Sequence, residues 1–145
     1  MNLKKALSLP IAKRKTICVV LGIAFGFLCS YLASQSPEIS TDFWGSWLMW
    51  TIVFNRFLIG MFVFIAGVFT VHPIFKFRLS PWLRGAIMGA FVSFDIALGG
   101  MIGNESPEAT MIFWMTILSG AVYGLVIDIV ATKFGGEGKE LLETV

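Results

Sequence analysis

The fold is decided by residues 48–71, LMWTIVFNRFLIGMFVFIAGVFTV, in which Arg56 is the only charged residue. An apolar stretch of about 20 residues is typical of a helix that crosses a bilayer, because the hydrocarbon core is about 30 Å thick and each helical residue rises about 1.5 Å. Three further stretches of this kind lie at residues 16–34, 83–102 and 111–134. Together they predict an all-α integral membrane protein with four transmembrane helices.

The composition of the whole chain agrees with this prediction. Of the 145 residues, 57% are hydrophobic and only 14% are charged, whereas soluble domains contain about 45–50% apolar and about 25% charged residues. A soluble domain of this length has too little interior to bury so many apolar side chains. The composition therefore excludes a soluble domain, a disordered chain and a nucleic-acid-binding module. It indicates that the surroundings are a lipid bilayer and that residues 1–145 form one transmembrane domain.

Basic residues outside the helices are confined to alternate segments of the chain. The segment before the first helix carries Lys4, Lys5, Lys13, Arg14 and Lys15. The connection between the second and third helices carries Lys76 and Arg78, and Arg84 lies in the adjoining turn. The other two connections contain acidic residues but no lysine or arginine. Because cytoplasmic segments of membrane proteins are enriched in lysine and arginine, both termini are predicted to lie in the cytoplasm.

The two ends of the chain are predicted to lie outside the bilayer core. Residues 1–13 are predicted to form a basic interfacial N-terminus. The apolar run that follows is long enough to favour an uncleaved first helix over a secretory signal peptide. Residues 135–145, which begin with two glycines, are predicted to form a polar and mobile C-terminal tail.

The tryptophans are predicted to mark the membrane interfaces. Trp44, Trp47 and Trp50 recur every three residues and therefore share one helix face at the outer interface, where indole rings prefer to lie. Trp82 and Trp114, near the starts of the third and fourth helices, are assigned to the same interfacial class.

A short internal repeat suggests that the chain is a duplicated helical hairpin. The tripeptide Ser-Pro-Glu at 36–38 recurs at 106–108, and at the same offset Arg14 falls on Arg84. Both copies would run from the cytoplasm outward and back, which makes this a parallel repeat about an axis along the membrane normal. Chance is the alternative explanation, because so biased a composition produces short matches easily.

Three of the four helices carry small residues at every fourth position, where they allow helix backbones to approach closely. The candidate packing residues are Gly22, Gly26, Gly85, Gly89, Ser93, Gly120 and Gly124. One interpretation is a tight helical bundle that leaves one stripe for a partner or a second copy. The other is a pore lined by glycines, although helix packing explains the stripes without it.

Arg56, Asp95 and Asp128 are the charged residues within the predicted helices that we single out. Intramembrane charges are costly and mark functional sites by default. The predicted depths of Arg56 and Asp95 nearly coincide, so these residues either form an ion pair or Arg56 extends to the outer headgroups. Asp128 continues the stripe of Gly120 and Gly124, so we expect it to face protein. Its role is either to clamp helices together or to take part in transport or proton relay.

The sequence offers no constellation typical of catalysis, metal binding or cofactor binding. His72 is the only histidine, and Cys18 and Cys29 would lie about 16 Å apart along one helix, too far to form a disulfide within the chain. No phosphate-binding loop and no grouping of serine, histidine and aspartate is present. We therefore predict that the protein is not an enzyme and needs no metal or cofactor.

The sequence at 55–60, NRFLIG, followed by WLRG at 82–85 with Gly89 and Ser93, resembles small uncharacterised four-helix inner-membrane proteins of bacteria. The resemblance covers about the second half of the chain and implies a bacterial cytoplasmic membrane. These proteins have no assigned activity, so the resemblance implies no role for any residue.

Two functions remain open from the sequence. The first is a non-enzymatic accessory or structural component that packs, helix against helix, with a membrane-protein partner or with itself as a homo-oligomer. The alternative is a small oligomeric transporter or channel that uses Arg56, Asp95 and Asp128.

Overall fold

The computed structural model describes residues 10–35, 42–71, 76–103, 106–138 and 141, and this part of the chain is almost entirely helical. Its four helices are α1 (Pro10–Ser34), α2 (Trp47–Ala66), α3 (Pro81–Met101) and α4 (Pro107–Gly135). All four are long and apolar enough to cross a membrane. The predicted all-α class and the predicted four helices of membrane-spanning length and hydropathy are therefore confirmed.

The helix ends follow from local capping. Ser46 and Ser106 precede α2 and α4, and each side-chain oxygen accepts a hydrogen bond from the backbone N–H three residues later, at 3.2 Å and 3.1 Å. Pro81 and Pro107 occupy first-turn positions of α3 and α4, where a missing N–H costs nothing. α2 ends at Ala66, earlier than its apolar run suggests, because the following backbone N–H groups bond three residues back and tighten the last turn.

The helices form two antiparallel hairpins, α1–α2 and α3–α4, and the α3–α4 contact is the most extensive. The hairpins meet where α1 packs on α4 and where α2 packs on α3, and α2 also touches α4 across the middle. Among the described residues α1 and α3 make no contact of this kind. The arrangement is a ring of four helices in chain order, with the α2–α3 pair forming one outer face.

The small-residue stripes of α3 and α4 pack against each other. A Cβ atom added at Gly85 or Gly89 would collide with the carbonyl oxygen of Gly124 or Gly120 on the facing helix. In the same way, a Cβ at Gly124 would collide with the carbonyl oxygen of Gly85. A Cβ at Gly120 would collide with the hydroxyl of Ser93. Only glycine allows the two backbones to approach this closely.

The stripe of α1 is occupied in the same way by α2. A Cβ at Gly22 would lie 2.9 Å from the carbonyl oxygen of Arg56, and one at Gly26 would lie 2.9 Å from the Cα of Val53. All three stripes therefore pack within the chain. This arrangement leaves no stripe available to a second molecule in the described part of the structure.

The tryptophans lie on the outside of the bundle, each with more than half of its surface exposed. Trp44, Trp47 and Trp50 surround the start of α2, and Trp114 lies in the first half of α4, towards the same end. Trp82 lies in the first turn of α3, at the opposite end of the bundle. The five indoles thus fall into two groups, one towards each end.

The chain termini differ from the sequence expectations where the structure describes them. Residues 10–13 of the expected N-terminal segment already belong to α1, and residues 1–9 lie outside the described residues. Residues 136–138 and 141 of the expected tail make contacts with the rest of the bundle. The N–H of Gly138 donates to the carbonyl of Gly67 at 2.9 Å, and Leu141 is fully buried. The hydrogen bond to Gly67 joins this segment to the end of α2, and the ion pairs of Glu137 with Arg78 and Arg84 join it to the start of α3 and the connection before it.

Candidate functional site

Apart from the exposed charges near the helix ends, the charged residues of the described helices occupy three places: a buried ionic cluster at one end of the bundle, a buried arginine at mid-height, and an exposed aspartate on the α2–α3 face. The buried ionic cluster consists of Arg14, Arg84, Asp128, Thr132 and Glu137. It lies where α1 and α3 begin and where α2 and α4 end. It therefore joins both hairpins at a single point.

Asp128 is the centre of the buried ionic cluster. Its carboxylate accepts hydrogen bonds from Nε of Arg84 at 2.7 Å, from Nη2 of Arg84 at 2.9 Å, and from Nη2 of Arg14. The three side chains are at most 1% exposed. Both carboxylate oxygens are therefore engaged by arginine. The contact of Arg84 with the carboxylate is bidentate, and a bidentate contact is stronger than a single hydrogen bond.

Glu137 and Thr132 complete the cluster. Glu137 pairs with Arg84 at 3.0 Å and with the exposed Arg78 at 3.3 Å. The hydroxyl of Thr132 accepts from Arg14 at 3.0 Å. The two buried arginines thus face two carboxylates, so their charges are balanced. Removing one partner of a buried pair of this kind costs about 3–5 kcal/mol, and the geometry supports the interpretation of Asp128 as a clamp.

Arg14 and Glu137 are members of this cluster that the sequence analysis did not single out. Arg14 belongs to a basic run, and such runs are usually exposed, yet its side chain is buried. The sequence does contain an indication that Arg14 is buried. It lies four residues before Cys18 and so continues the small-residue stripe of Gly22 and Gly26. Glu137 follows two glycines and carried no comparable signal.

Arg56 is the second feature, at the middle of α2, and is only 4% exposed. Its guanidinium donates to the side chain of Asn55 at 2.7 Å and to the hydroxyls of Ser93 and Ser119 at 2.8 and 3.0 Å. Its charge also lies over the ring of Tyr123, 5.2 Å from the ring centre. Within the described residues no carboxylate pairs with it.

Neither expectation for Arg56 holds. It does not extend to the headgroups, because its side chain is buried, and it does not pair with Asp95. Arg56 and Asp95 do lie at similar depths, because Arg56 donates a hydrogen bond to Ser93, which is two residues before Asp95. However, two residues correspond to about 200° around a helix. Ser93 faces the interior, so Asp95 faces away from it.

Asp95 is the third feature, and it lies exposed on the α2–α3 face. In the described part of the molecule its carboxylate makes no ion pair or hydrogen bond. It lines a groove of about 590 Å³ between α2 and α3, together with Thr51, Phe54, Asn55 and Gly99. An ionised carboxylate at this depth costs about 2.5–3.5 kcal/mol on insertion scales, because lipid offers no hydrogen-bond donors.

A second groove, of about 550 Å³, lies further along the same α2–α3 face, towards the ionic cluster. Its lining is apolar and aromatic, with Phe62, Phe69 and Phe91 prominent. The side chain of Arg84 closes its inner wall. The α2–α3 face is therefore grooved over most of its length, and Asp95 is the only acidic residue that lines either groove.

Metal ions are held by groups of His, Cys, Asp and Glu side chains. The described residues contain no group of three or more His, Cys, Asp or Glu side chains that could hold a metal ion. The chain matches no family model, no curated protein and no solved structure. The function must therefore be inferred from the geometry of the three features above.

Proposed function

We propose that the protein is a non-enzymatic accessory component of a membrane assembly and that it binds a membrane-protein partner along its α2–α3 face. The observation that carries this proposal is the exposed carboxylate of Asp95. Within the described part of the spanning helices it is a charge that no partner compensates, on a surface that otherwise suits lipid. A partner that covers the groove removes this carboxylate from lipid and supplies the missing interaction.

The internal use of the small-residue stripes supports the choice of this face. Helices in lipid associate through close backbone contact and polar side chains. The stripe glycines of α1, α3 and α4 already make such contacts within the chain, so these stripes are not available for assembly. The α2–α3 face, which has two grooves and an unpaired carboxylate, lies outside these contacts.

We further propose the orientation and the setting. The end that contains Arg14 and Arg84 also carries the exposed residues Lys13, Lys15 and Lys133, and we place this basic end in the cytoplasm. The resemblance to bacterial inner-membrane proteins supports a bacterial cytoplasmic membrane. The convergence of Arg14 and Arg84, equivalent in the internal repeat, on a single Asp128 supports a duplicated hairpin.

Crosslinking in native membranes tests the proposed function. A photo-reactive amino acid is placed at Thr51 or Ile96 in the groove, and as a matched control at Val122, which is exposed on α4. We expect a protein adduct of one defined mass from both groove positions and none from Val122. Equal adducts from all three positions, or adducts with lipid alone, would refute a partner on the α2–α3 face.

The alternative function, a small oligomeric transporter or channel, is supported by Arg56. A buried cation at mid-membrane, surrounded by hydroxyl, thiol and amide groups, offers a place for an anion to pass or bind. Chloride flux into liposomes that contain the purified protein tests this alternative. If the protein is a transporter or channel, the wild type produces chloride flux, and Arg56→Met abolishes this flux without loss of helical content. The absence of flux in the wild type would refute this alternative.

A further inference from the structure

The depth of Asp95 excludes the aqueous interface as its partner. Asp95 lies four residues beyond Phe91, the middle residue of α3, and therefore about 6 Å from mid-membrane. Met101, the last residue of the helix, is about 9 Å further along the axis. An aspartate side chain is too short to cover this distance, whereas lysine and arginine can extend to the headgroups.

Among the described residues, no cation reaches Asp95. Arg56 is at a similar depth, but its guanidinium is directed to Ser93 and Ser119 in the interior. The amide of Asn55, which also lines the groove, is already used: its nitrogen donates to the carbonyl of Val92 at 3.1 Å and its oxygen accepts from Arg56. The exposed basic residues in the described ranges all lie at the opposite end of the bundle.

A second copy of the chain does not supply the missing charge. In the same orientation, a copy packed face to face would bring its own Asp95 to the same depth, so two carboxylates would meet without a cation. Like charges at close range in a low dielectric repel strongly. The electrostatics of the groove thus favour a different molecule.

The shape of the groove fits a helix. A Cβ added at Gly99 or Gly100 would meet nothing within 4 Å, so the space beside the backbone of α3 is open at these two positions. The second groove continues the depression along the α2–α3 face towards the ionic cluster. A long apolar rod that crosses the membrane beside α2 and α3 would fill both grooves, and a transmembrane helix is such a rod.

We propose that the partner contributes a transmembrane helix with a lysine or arginine in its outer half, which pairs with Asp95. This inference rests on the proposed function and specifies the chemistry of the partner. The pair forms in a low dielectric, where an ion pair with hydrogen bonds is stronger than at a wet surface. It also neutralises a charge on each helix that would otherwise face lipid.

Synthetic transmembrane peptides provide the test. The full-length protein, carrying a fluorescent donor at its C-terminus, is reconstituted into liposomes of phosphatidylethanolamine and phosphatidylglycerol. Leucine–alanine peptides with an acceptor dye carry one lysine about 6 Å to the outer side of their middle. Matched peptides carry glutamine or glutamate there, or lysine at the same distance on the inner side. Energy transfer at increasing peptide-to-lipid ratios gives the apparent affinity.

We expect the outer-lysine peptide to bind about ten-fold or more tightly than the glutamine and glutamate peptides. This preference disappears in Asp95→Asn and persists in Glu108→Gln, which removes an exposed acid at the same end of the bundle. Equal binding of the lysine and glutamine peptides, or a lysine preference that survives Asp95→Asn, would overturn the inference. Circular dichroism of each variant confirms that it has folded.

The outcomes separate this inference from the proposed function. A partner adduct in the groove of native membranes, combined with no lysine preference in liposomes, refutes the charge pairing but leaves the accessory function intact. Energy transfer between two differently labelled copies of the protein, abolished by Gly99→Leu, would instead identify a second copy as the occupant. That result would overturn the inference.

Discussion

Replacement of Asp128 by asparagine is expected to destabilise the protein more than any other conservative change of a single charged residue. The substitution keeps the size of the side chain but removes the negative charge that Arg14 and Arg84 share. Both guanidinium groups are at most 1% exposed, so neither can turn to water. Breaking a buried ion pair by neutralising one partner costs about 3–5 kcal/mol, and here two pairs share one carboxylate. We therefore expect a loss towards the upper end of that range.

The measurement is reversible unfolding of the purified protein in mixed detergent and lipid micelles, followed by circular dichroism as sodium dodecyl sulfate is added. Asp95→Asn is the matched control, because it makes the same chemical change in another spanning helix. Since Asp95 has no partner in the described structure, its replacement should change the free energy of unfolding by less than about 0.5 kcal/mol. A loss below about 1 kcal/mol for Asp128→Asn, or equal losses for both variants, would refute the interpretation of Asp128 as a clamp.

A compensating variant tests the same reasoning from the opposite direction. Removing all the buried charge together, as in Arg14→Met with Arg84→Met and Asp128→Leu, leaves no isolated ion in the cluster. Buried ion networks replaced by apolar residues of similar size often lose no stability. The triple variant should therefore unfold at a higher detergent fraction than Asp128→Asn alone. If it is less stable than the single variant, the loss is due to packing and not to unpaired charge.

Three further predictions use the same unfolding assay. Gly89→Leu should destabilise the α3–α4 contact by about 1–3 kcal/mol or more, because its Cβ meets backbone. Gly99→Leu has open space at its Cβ and should change the free energy of unfolding by less than about 0.5 kcal/mol. Equal effects of the two variants would contradict the close packing of α3 on α4. Arg56→Met should cost less than Asp128→Asn, since no carboxylate is left unpaired, and a larger loss would indicate a hidden anionic partner. Glu137→Gln should cost about 1 kcal/mol and increase the proteolysis of the C-terminal segment, and protection equal to the wild type would show that its ion pairs do not hold that segment.

The four helices could be predicted from the sequence because the relevant signal is local. Each apolar run exceeds the length that the bilayer core requires, and a helix in lipid must satisfy its backbone hydrogen bonds internally. α4 begins at Pro107, four residues before the apolar run at 111–134, because Ser106 caps it there. The end of α2 was harder to predict, because the residues after Ala66 remain apolar and only the geometry of the last turn ends the helix.

The positions of the charged side chains depend on helix rotation, which composition does not reveal. Asp95 lies between Ser93 and Ala97, two residues of the small-residue stripe, and is therefore turned about 200° from each of them. A projection around the helix axis would have placed it on the outer face, whereas depth alone suggested a pair with Arg56. The burial of Arg14 likewise depends on rotation: its place in a basic run gives no sign of burial, whereas its register with the stripe of α1 does.

The packing of residues 136–138 could not be predicted, because their contacts join residues that are far apart in the sequence. Glu137 pairs with Arg84, and Gly138 bonds to Gly67. The first contact exists only once α3 and α4 have packed together, and the second only once the two hairpins have assembled. Glycine-rich polar segments are usually mobile near chain ends, and tertiary contacts overrule that tendency here.

The most direct test of the account is the yield of groove adducts in native membranes when only Asp95 is changed. With the photo-reactive residue at Thr51, wild-type protein and Asp95→Asn are expressed at equal levels and irradiated for the same time. The account predicts that the partner adduct falls about ten-fold or more in Asp95→Asn while the unfolding midpoint of the purified protein is unchanged. An undiminished adduct would show that the partner does not recognise the carboxylate of Asp95.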